Sequence, residues 1–267
     1  MDYARYKELI VEKREGIAVV TLNRPELLNA VTVELHDELE HLWLDLAHDE
    51  EVNAVVVTGA GKAFSAGGNI KKMLERHQTP EGWKQLTRTG FRARNLLRNL
   101  IEIPQPVVAA VNGDAMGFGA TLALCADISV MSETARIGDT HVKVGLVAGD
   151  GGPVIWPLLI GANKAKECLM LGKVLTGVEA ARMDLVNHAV PAELVMEKAM
   201  ELARQLAELP PLAVRWTKQA ANMHLKAQFN LVFDAAIAHE VITFQSDDHG
   251  EAGRAFVEKR KGVYHGR

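Results

Sequence analysis

The chain has 267 residues, 48% hydrophobic and 24% charged, a balance that excludes disorder, collagen and disulfide scaffolds. Lys and Arg total 30 against 34 Asp and Glu, a formal charge of −4, so there is no electrostatic footprint for nucleic acid. Two cysteines, Cys125 and Cys168, read as core thiols in a reducing cytosol rather than as a disulfide framework.

The stretch from Met1 to Arg14 is charge-dense and lacks the apolar run of a signal peptide. Leu9–Glu12 and Ile17–Leu22 predict two strands around a turn at Glu15-Gly16, and Asn23-Arg24-Pro25 ends the second. Leu35, Leu39, Leu42, Trp43 and Leu46 recur at helical spacing, with Thr32 placed to cap that helix. Ala54–Thr58, Pro106–Val111 and Ile128–Met131 are apolar runs of strand length. Short buried strands alternating with helices predict an α/β core. The most apolar window, Pro106 to Ala126, is interrupted by Asn112, Asp114 and glycines, so no membrane span is expected and the chain reads as cytoplasmic. The second half reads differently: Glu179–Met183, Ala192–Leu209, Leu212–Ala227 and Asn230–Gln245 are all helical in pattern. Trp216, Ala220, Met223 and Ala227 form an apolar stripe, continued by Leu231, Ala235, Ala238 and Ile242. We expect an α/β core over residues 1–195 and a helical region over 196–267.

Common phosphate and metal devices are missing. No glycine stands five residues before Gly61-Lys62, and Leu122 occupies the third glycine position after Gly117-Phe118-Gly119. Thr243 stands where a zinc helix beginning at His239-Glu240 needs its second histidine, and Ala63 replaces the first glycine of a nucleophile elbow around Ser65. Two glycine-rich loops remain, Gly61–Ile70 and Asn112–Ala120, each after a predicted buried strand. The second opens a helix expected from Met116 to Cys125. Loops of this kind either pack as tight turns or aim two N–H donors at one carbonyl oxygen.

The sequence resembles the crotonase, or enoyl-CoA hydratase/isomerase, family. The likeness runs from Thr21-Leu22-Asn23-Arg24-Pro25 through Lys62-Ala63-Phe64-Ser65-Ala66-Gly67 and Val108-Ala109-Ala110-Val111-Asn112-Gly113 to Ala255-Phe256-Val257-Glu258-Lys259-Arg260. It implies a spiral of ββα units with C-terminal helices that build homotrimers, often paired into hexamers. It implies an oxyanion hole at the N–H groups of Gly68 and Phe118. Ala66 and Ile70 would line the coenzyme A site and Lys259 would meet a CoA phosphate. No cofactor is implied beyond the coenzyme A carried by an acyl-CoA substrate.

The chain departs from the family hydratases at their two glutamates, whose positions hold Thr121 and His141. His141, whose imidazole can take and return a proton near neutral pH, is the expected general base. Asp150, in a glycine turn before a helix expected over Pro153–Ile160, is either the acid or proton carrier or a helix cap. Glu240 shares a helical stripe with Phe233, Ile237 and Phe244, where a carboxylate is paired, functional or exposed. We expect it to orient His141. His36, beside the apolar face of the first helix, reads as a packing histidine or a site residue. His36, His141, Asp150 and Glu240 together resemble the 6-oxocamphor hydrolase branch of the family, which opens cyclic β-diketones. There a further histidine stands where this chain has Phe118, and the first glycine loop, intact here as Ala66-Gly67-Gly68-Asn69-Ile70, is altered. The expected activity is water chemistry on an acyl-CoA. CoA-free C–C hydrolysis, dienoyl-CoA isomerisation and binding without turnover stand as alternatives.

Overall fold

The computed structural model describes residues 1–267. Strands β1 (Leu9–Arg14) and β2 (Ile17–Leu22) pair antiparallel, turning through Glu15 and Gly16, both at positive φ. Helix α1 (Val33–Ala47) starts where Thr32 accepts a hydrogen bond from the Leu35 N–H, and it buries Leu35, Leu39, Leu42, Trp43 and Leu46. The spacing of those five residues explains the helix: they form one stripe at a 3.6-residue period.

Three units of two strands follow, and each splits its strands between two sheets. Strand β3 (Ala54–Gly59) leads to β4 (Ala63–Ser65), with helices α2 (Ile70–Arg76) and α3 (Pro80–Glu102) after them. Strand β5 (Val107–Val111) leads to β6 (Asp114–Met116) and helix α4 (Phe118–Leu124). Strand β7 (Ile128–Ser132) leads to β8 (Arg136–Gly138), a 3-10 turn at His141–Val144, and helices α5 (Gly152–Ile160) and α6 (Ala162–Leu171). Strand β9 (Leu175–Thr176), helix α7 (Gly177–Arg182) and strand β10 (His188–Val190) complete the sheets. The larger sheet runs β1-β2-β3-β5-β7-β10 and the smaller β4-β6-β8-β9. This is the spiral of ββα units that the family resemblance implies.

The inner strands β3 and β5 are buried along their whole length. They read as unbroken apolar runs because parallel strands covered on both faces have no polar side. Their alternate residues enter different cores. Val55, Val57, Val107, Ala109 and Val111 join the main core with Trp43 and Phe64. Ala54, Val56, Val108 and Ala110 meet Val195, Ala199, Met200 and Ala203 of helix α8 (Val195–Glu208) on the opposite face.

The chain ends in helices α9 (Pro211–Phe244) and α10 (Asp247–Glu258). Here the structure differs from the sequence pattern, which divides α9 at residues 228–229. The helix is continuous because neither glycine nor proline interrupts it, and Phe229 packs into the main core. The helix expected from Met116 begins at Phe118 instead, since Asp114–Met116 is taken into the smaller sheet. Residues 73–97, polar in sequence and without a sequence assignment, lie in α2 and α3 or the short link between them. Along α9, Phe229, Phe233 and Ile237 are buried, whereas Trp216, Met223, Leu231 and Ile242 are exposed. No helix is long and apolar enough to cross a membrane.

Phe64 lies on β4 between the two sheets and is fully buried. Phe64→Ala should lower stability by about 3–5 kcal/mol, read as a drop in the urea midpoint at unchanged slope; a loss under ~1 kcal/mol would contradict that packing.

Candidate active site

The two glycine loops leave the ends of β4 and β6, which are parallel neighbours, and they interlock through backbone. Gly67 has φ +76°, and a Cβ there would collide with the Met116 carbonyl oxygen. A Cβ on Gly119 would lie 2.6 Å from the Ser65 carbonyl oxygen. Only residues without side chains permit this approach. The first loop is braced from below. Ser65 Oγ donates to the Asn29 carbonyl at 2.8 Å and accepts from the Gly67 N–H at 3.2 Å. Asn29 Nδ2 donates to the carbonyls of Ala60 and Ala63.

This packing leaves two N–H groups uncommitted. Val31 and Gly68 form a parallel bridge, but its hydrogen bond runs from the Val31 N–H to the Gly67 carbonyl, and the Gly68 N–H makes none of the loop bonds. Phe118 is the first residue of α4, so its N–H has no acceptor within the helix. The preceding N–H, of Gly117, is spent on the Gly138 carbonyl at 2.9 Å.

His141 stands beside this pair. A Cβ on Gly117 would lie 3.4 Å from His141 Cε1, so the imidazole rests against the residue just before Phe118. The ring is buried between two aspartates. Its Nδ1 lies 2.6 Å from Asp139 Oδ1 and its Nε2 lies 3.2 Å from Asp150 Oδ2. Burial is the largest single influence on the ring and favours the neutral form. The fields of Asp150 and Asp139 and their hydrogen bonds outweigh it together and hold the imidazole protonated well above its ordinary range. Asp150 also accepts from the Thr121 hydroxyl at 3.4 Å. Thr121 therefore supports this carboxylate.

Glu240 is buried on α9, where the charges of Asp150, His141 and Asp139 act on it. No hydrogen bond joins it to His141, and its Oε2 has no hydrogen-bond partner. The expectation that Glu240 orients His141 directly is thus corrected: Asp139 holds Nδ1 instead. The reason is spatial: the turn after β8 places Asp139 Oδ1 2.6 Å from Nδ1, and no atom of Glu240, carried by α9, is in hydrogen-bond reach of the ring. Burial, with Asp150 adding repulsion, raises the Glu240 carboxyl to about 8. The loop passes directly over it, since a Cβ on Gly149 would lie 2.6 Å from Glu240 Oε2.

The remaining sequence candidates fall at different places. His36, half-buried on α1, stacks on Phe118 with ring centroids 5.9 Å apart. Burial, aided by Arg92, lowers its pKa to about 4, so it is neutral at pH 7. Ala66 and Ile70 flank the first loop and are half-exposed. Lys259 ends α10 in a left-handed conformation, exposed and without an ion pair; within this chain nothing links it to the glycine loops. Asp139, His141 and Asp150 also carry donor atoms within 4.8 Å of one another, but each imidazole nitrogen already faces a carboxylate. Asp139 and the brace residue Asn29 are the members that sequence reasoning missed. The one available signal for Asp139 was its place two residues before His141.

Stability should record the Glu240 burial. Its folded pKa is raised, so the folded state binds its proton more tightly than the unfolded chain and stability falls as pH rises from about 4.5 to about 8. His141 adds a decline in the same direction, beginning near its ordinary value and running to its raised folded one. Glu240→Gln should therefore flatten the lower part of this decline, measured by thermal unfolding between pH 5 and 9; parallel curves for the two proteins would refute it.

Comparison with known proteins agrees with this architecture. The enoyl-CoA hydratase/isomerase family model matches residues 12–267. The chain is 36% identical over 256 residues to a short-chain-enoyl-CoA hydratase of Clostridium acetobutylicum, covering 95% of each protein. It is 31% identical to a crotonyl-CoA hydratase of Syntrophomonas wolfei, covering 96% of this chain and 97% of that one. An enoyl-CoA hydratase/isomerase structure from Mycobacterium paratuberculosis superposes with a TM-score of 0.89 at 36% identity, covering 94% of this chain and 99% of that one. With strands, loops and helices in the same order over nearly the whole length, the chain belongs to the enoyl-CoA hydratase/isomerase family.

Proposed function

We propose that this protein adds water to an enoyl-CoA thioester, using a histidine held by aspartates in place of paired glutamates. The observation that carries the reading is the contact of the His141 ring with Gly117, which sets a proton-bearing imidazole next to the free Phe118 N–H. The Gly68 and Phe118 N–H groups bind the thioester oxygen and stabilise the enolate that forms when water attacks the β-carbon. Such donors act most strongly in a site that excludes water, because they need no reorientation as charge develops. Asp150 takes a proton from the attacking water, and His141 delivers one to the α-carbon. Residue types alone cast His141 as the base. Its flanking aspartates favour the opposite starting state, with the imidazole already charged. Glu240 keeps its proton at neutral pH, which spares the pocket a third negative charge. Ala66 and Ile70 line the path of coenzyme A, and Lys259 meets a CoA phosphate. The exposed apolar side chains Trp216, Met223, Leu231 and Ile242 on α9 support self-association into a trimer, or a hexamer of two trimers, since a patch of that length is costly to leave in water.

A second reading is hydrolytic C–C cleavage of a cyclic β-diketone. The His141–Asp150 contact favours it, because it serves water chemistry without the first-position glutamate that Thr121 replaces.

Straight-chain enoyl-CoAs should raise the melting temperature and lose their conjugated ultraviolet absorbance on incubation with the enzyme. His141→Ala should reduce kcat by about 10²–10⁴-fold while CoA still binds. Turnover of cyclic diketones with no effect of any CoA ester would replace the first reading with the second, and full activity in His141→Ala would remove that residue from the chemistry.

A further inference from the structure

We infer that Asp139 is the positioning residue of this site, fixing the His141 ring by its Nδ1 so that Nε2 carries the transferable proton toward Asp150 and the substrate. This rests on the proposal that His141 is a proton donor, and it assigns to a residue outside the family's glutamate positions the setting of that donor's orientation and strength.

Three observations point to it. The first is the contact itself. Asp139 Oδ1 is 2.6 Å from His141 Nδ1, and the same oxygen accepts the His141 backbone N–H at 3.3 Å. One carboxylate oxygen thus holds both the ring and the chain that carries it. A charged imidazole whose Nδ1–H is held by a carboxylate keeps that proton and leaves the one on Nε2 to be transferred.

The second is the state of the other oxygen. Asp139 is almost fully buried, yet Oδ2 has no hydrogen-bond partner. A residue kept for packing or for capping a turn would not need a buried carboxylate half-unsatisfied, because such a group costs stability unless an opposite charge compensates it. The compensating charge here is the imidazolium.

The third is the fit of α5. Gly152 opens that helix, and a Cβ on Gly152 would collide with Asp139 Oδ2. The partial positive charge of the helix end therefore lies against the carboxylate, and the absence of a side chain at 152 is what lets it approach. The other ionisable groups facing the ring are Asp150, at Nε2, and Glu240, through its charge; Cys125 is buried near Asp150. None of these is hydrogen-bonded to Nδ1. Asp139 alone governs that side.

The test separates charge from shape. Asp139→Asn keeps an oxygen acceptor for Nδ1–H and for the backbone but removes the charge. In the full-length enzyme, with histidine labelled for NMR, the His141 titration should fall by at least one pH unit in Asp139→Asn, with the fold and CoA binding unchanged. The kcat for an enoyl-CoA should fall tenfold or more at nearly constant KM, and the pH–rate profile should move with the titration. Gly152→Ala, which displaces the carboxylate without altering its charge, should lower kcat in the same direction. The NMR measurement needs no substrate, so it stands even if hydration proves to be the wrong reaction. An unchanged His141 titration in Asp139→Asn would overturn the inference, as would a loss of kcat accompanied by an equal loss of CoA binding.

Discussion

The site depends on one close approach of backbone to backbone, where Gly67 at the end of β4 passes the Met116 carbonyl at the end of β6. It draws the two loops together at neighbouring strand ends and leaves the Gly68 and Phe118 N–H groups without acceptors. The approach is possible only because the residue has no side chain and tolerates positive φ. The brace formed by Asn29 and Ser65 then keeps the first loop from relaxing outward. Pre-organisation of this kind is what makes amide donors useful to a developing oxyanion, since the cost of orienting them is met during folding rather than during reaction.

Around this frame the site gathers an unusual set of charges: three buried carboxyl groups, on Asp139, Asp150 and Glu240, and one imidazole. Burying charges is expensive unless they neutralise one another. The arrangement settles by pairing Asp139 and Asp150 across His141 and by leaving the proton on Glu240. Thr121 fills the next position beside this group and donates its hydroxyl to Asp150. A fourth carboxyl at that position would have been added to a pocket already short of positive charge.

Helix α9 connects this chemistry to the outside. One face buries Phe229, Phe233 and Ile237 in the core and presents Glu240 to the site. The other exposes Trp216, Met223, Leu231 and Ile242. A single helix therefore carries both a buried carboxyl of the candidate site and an exposed apolar face.

Much of the fold was legible from the sequence, because its signals are local or periodic. Alanine and valine runs mark the inner strands, five residues of α1 repeat at the helical period, and the paired glycine loops stand after the strands that hold them. His141, Asp150 and Glu240 could be singled out by residue type and by likeness to a family. Their relations could not. Whether a carboxylate on α9 or one at the end of β8 bonds to His141 depends on angstrom-level placement of elements a hundred residues apart, and no spacing encodes that. Asp139 went unnoticed because an aspartate before a 3-10 turn looks like any other turn residue until its neighbours are known. The charge of His141 was likewise out of reach, for it is a balance between burial and two nearby aspartates. The sequence alone determined which groups were available; the tertiary structure decided which of them share a proton, because fields and hydrogen bonds act through distance in space and not along the chain.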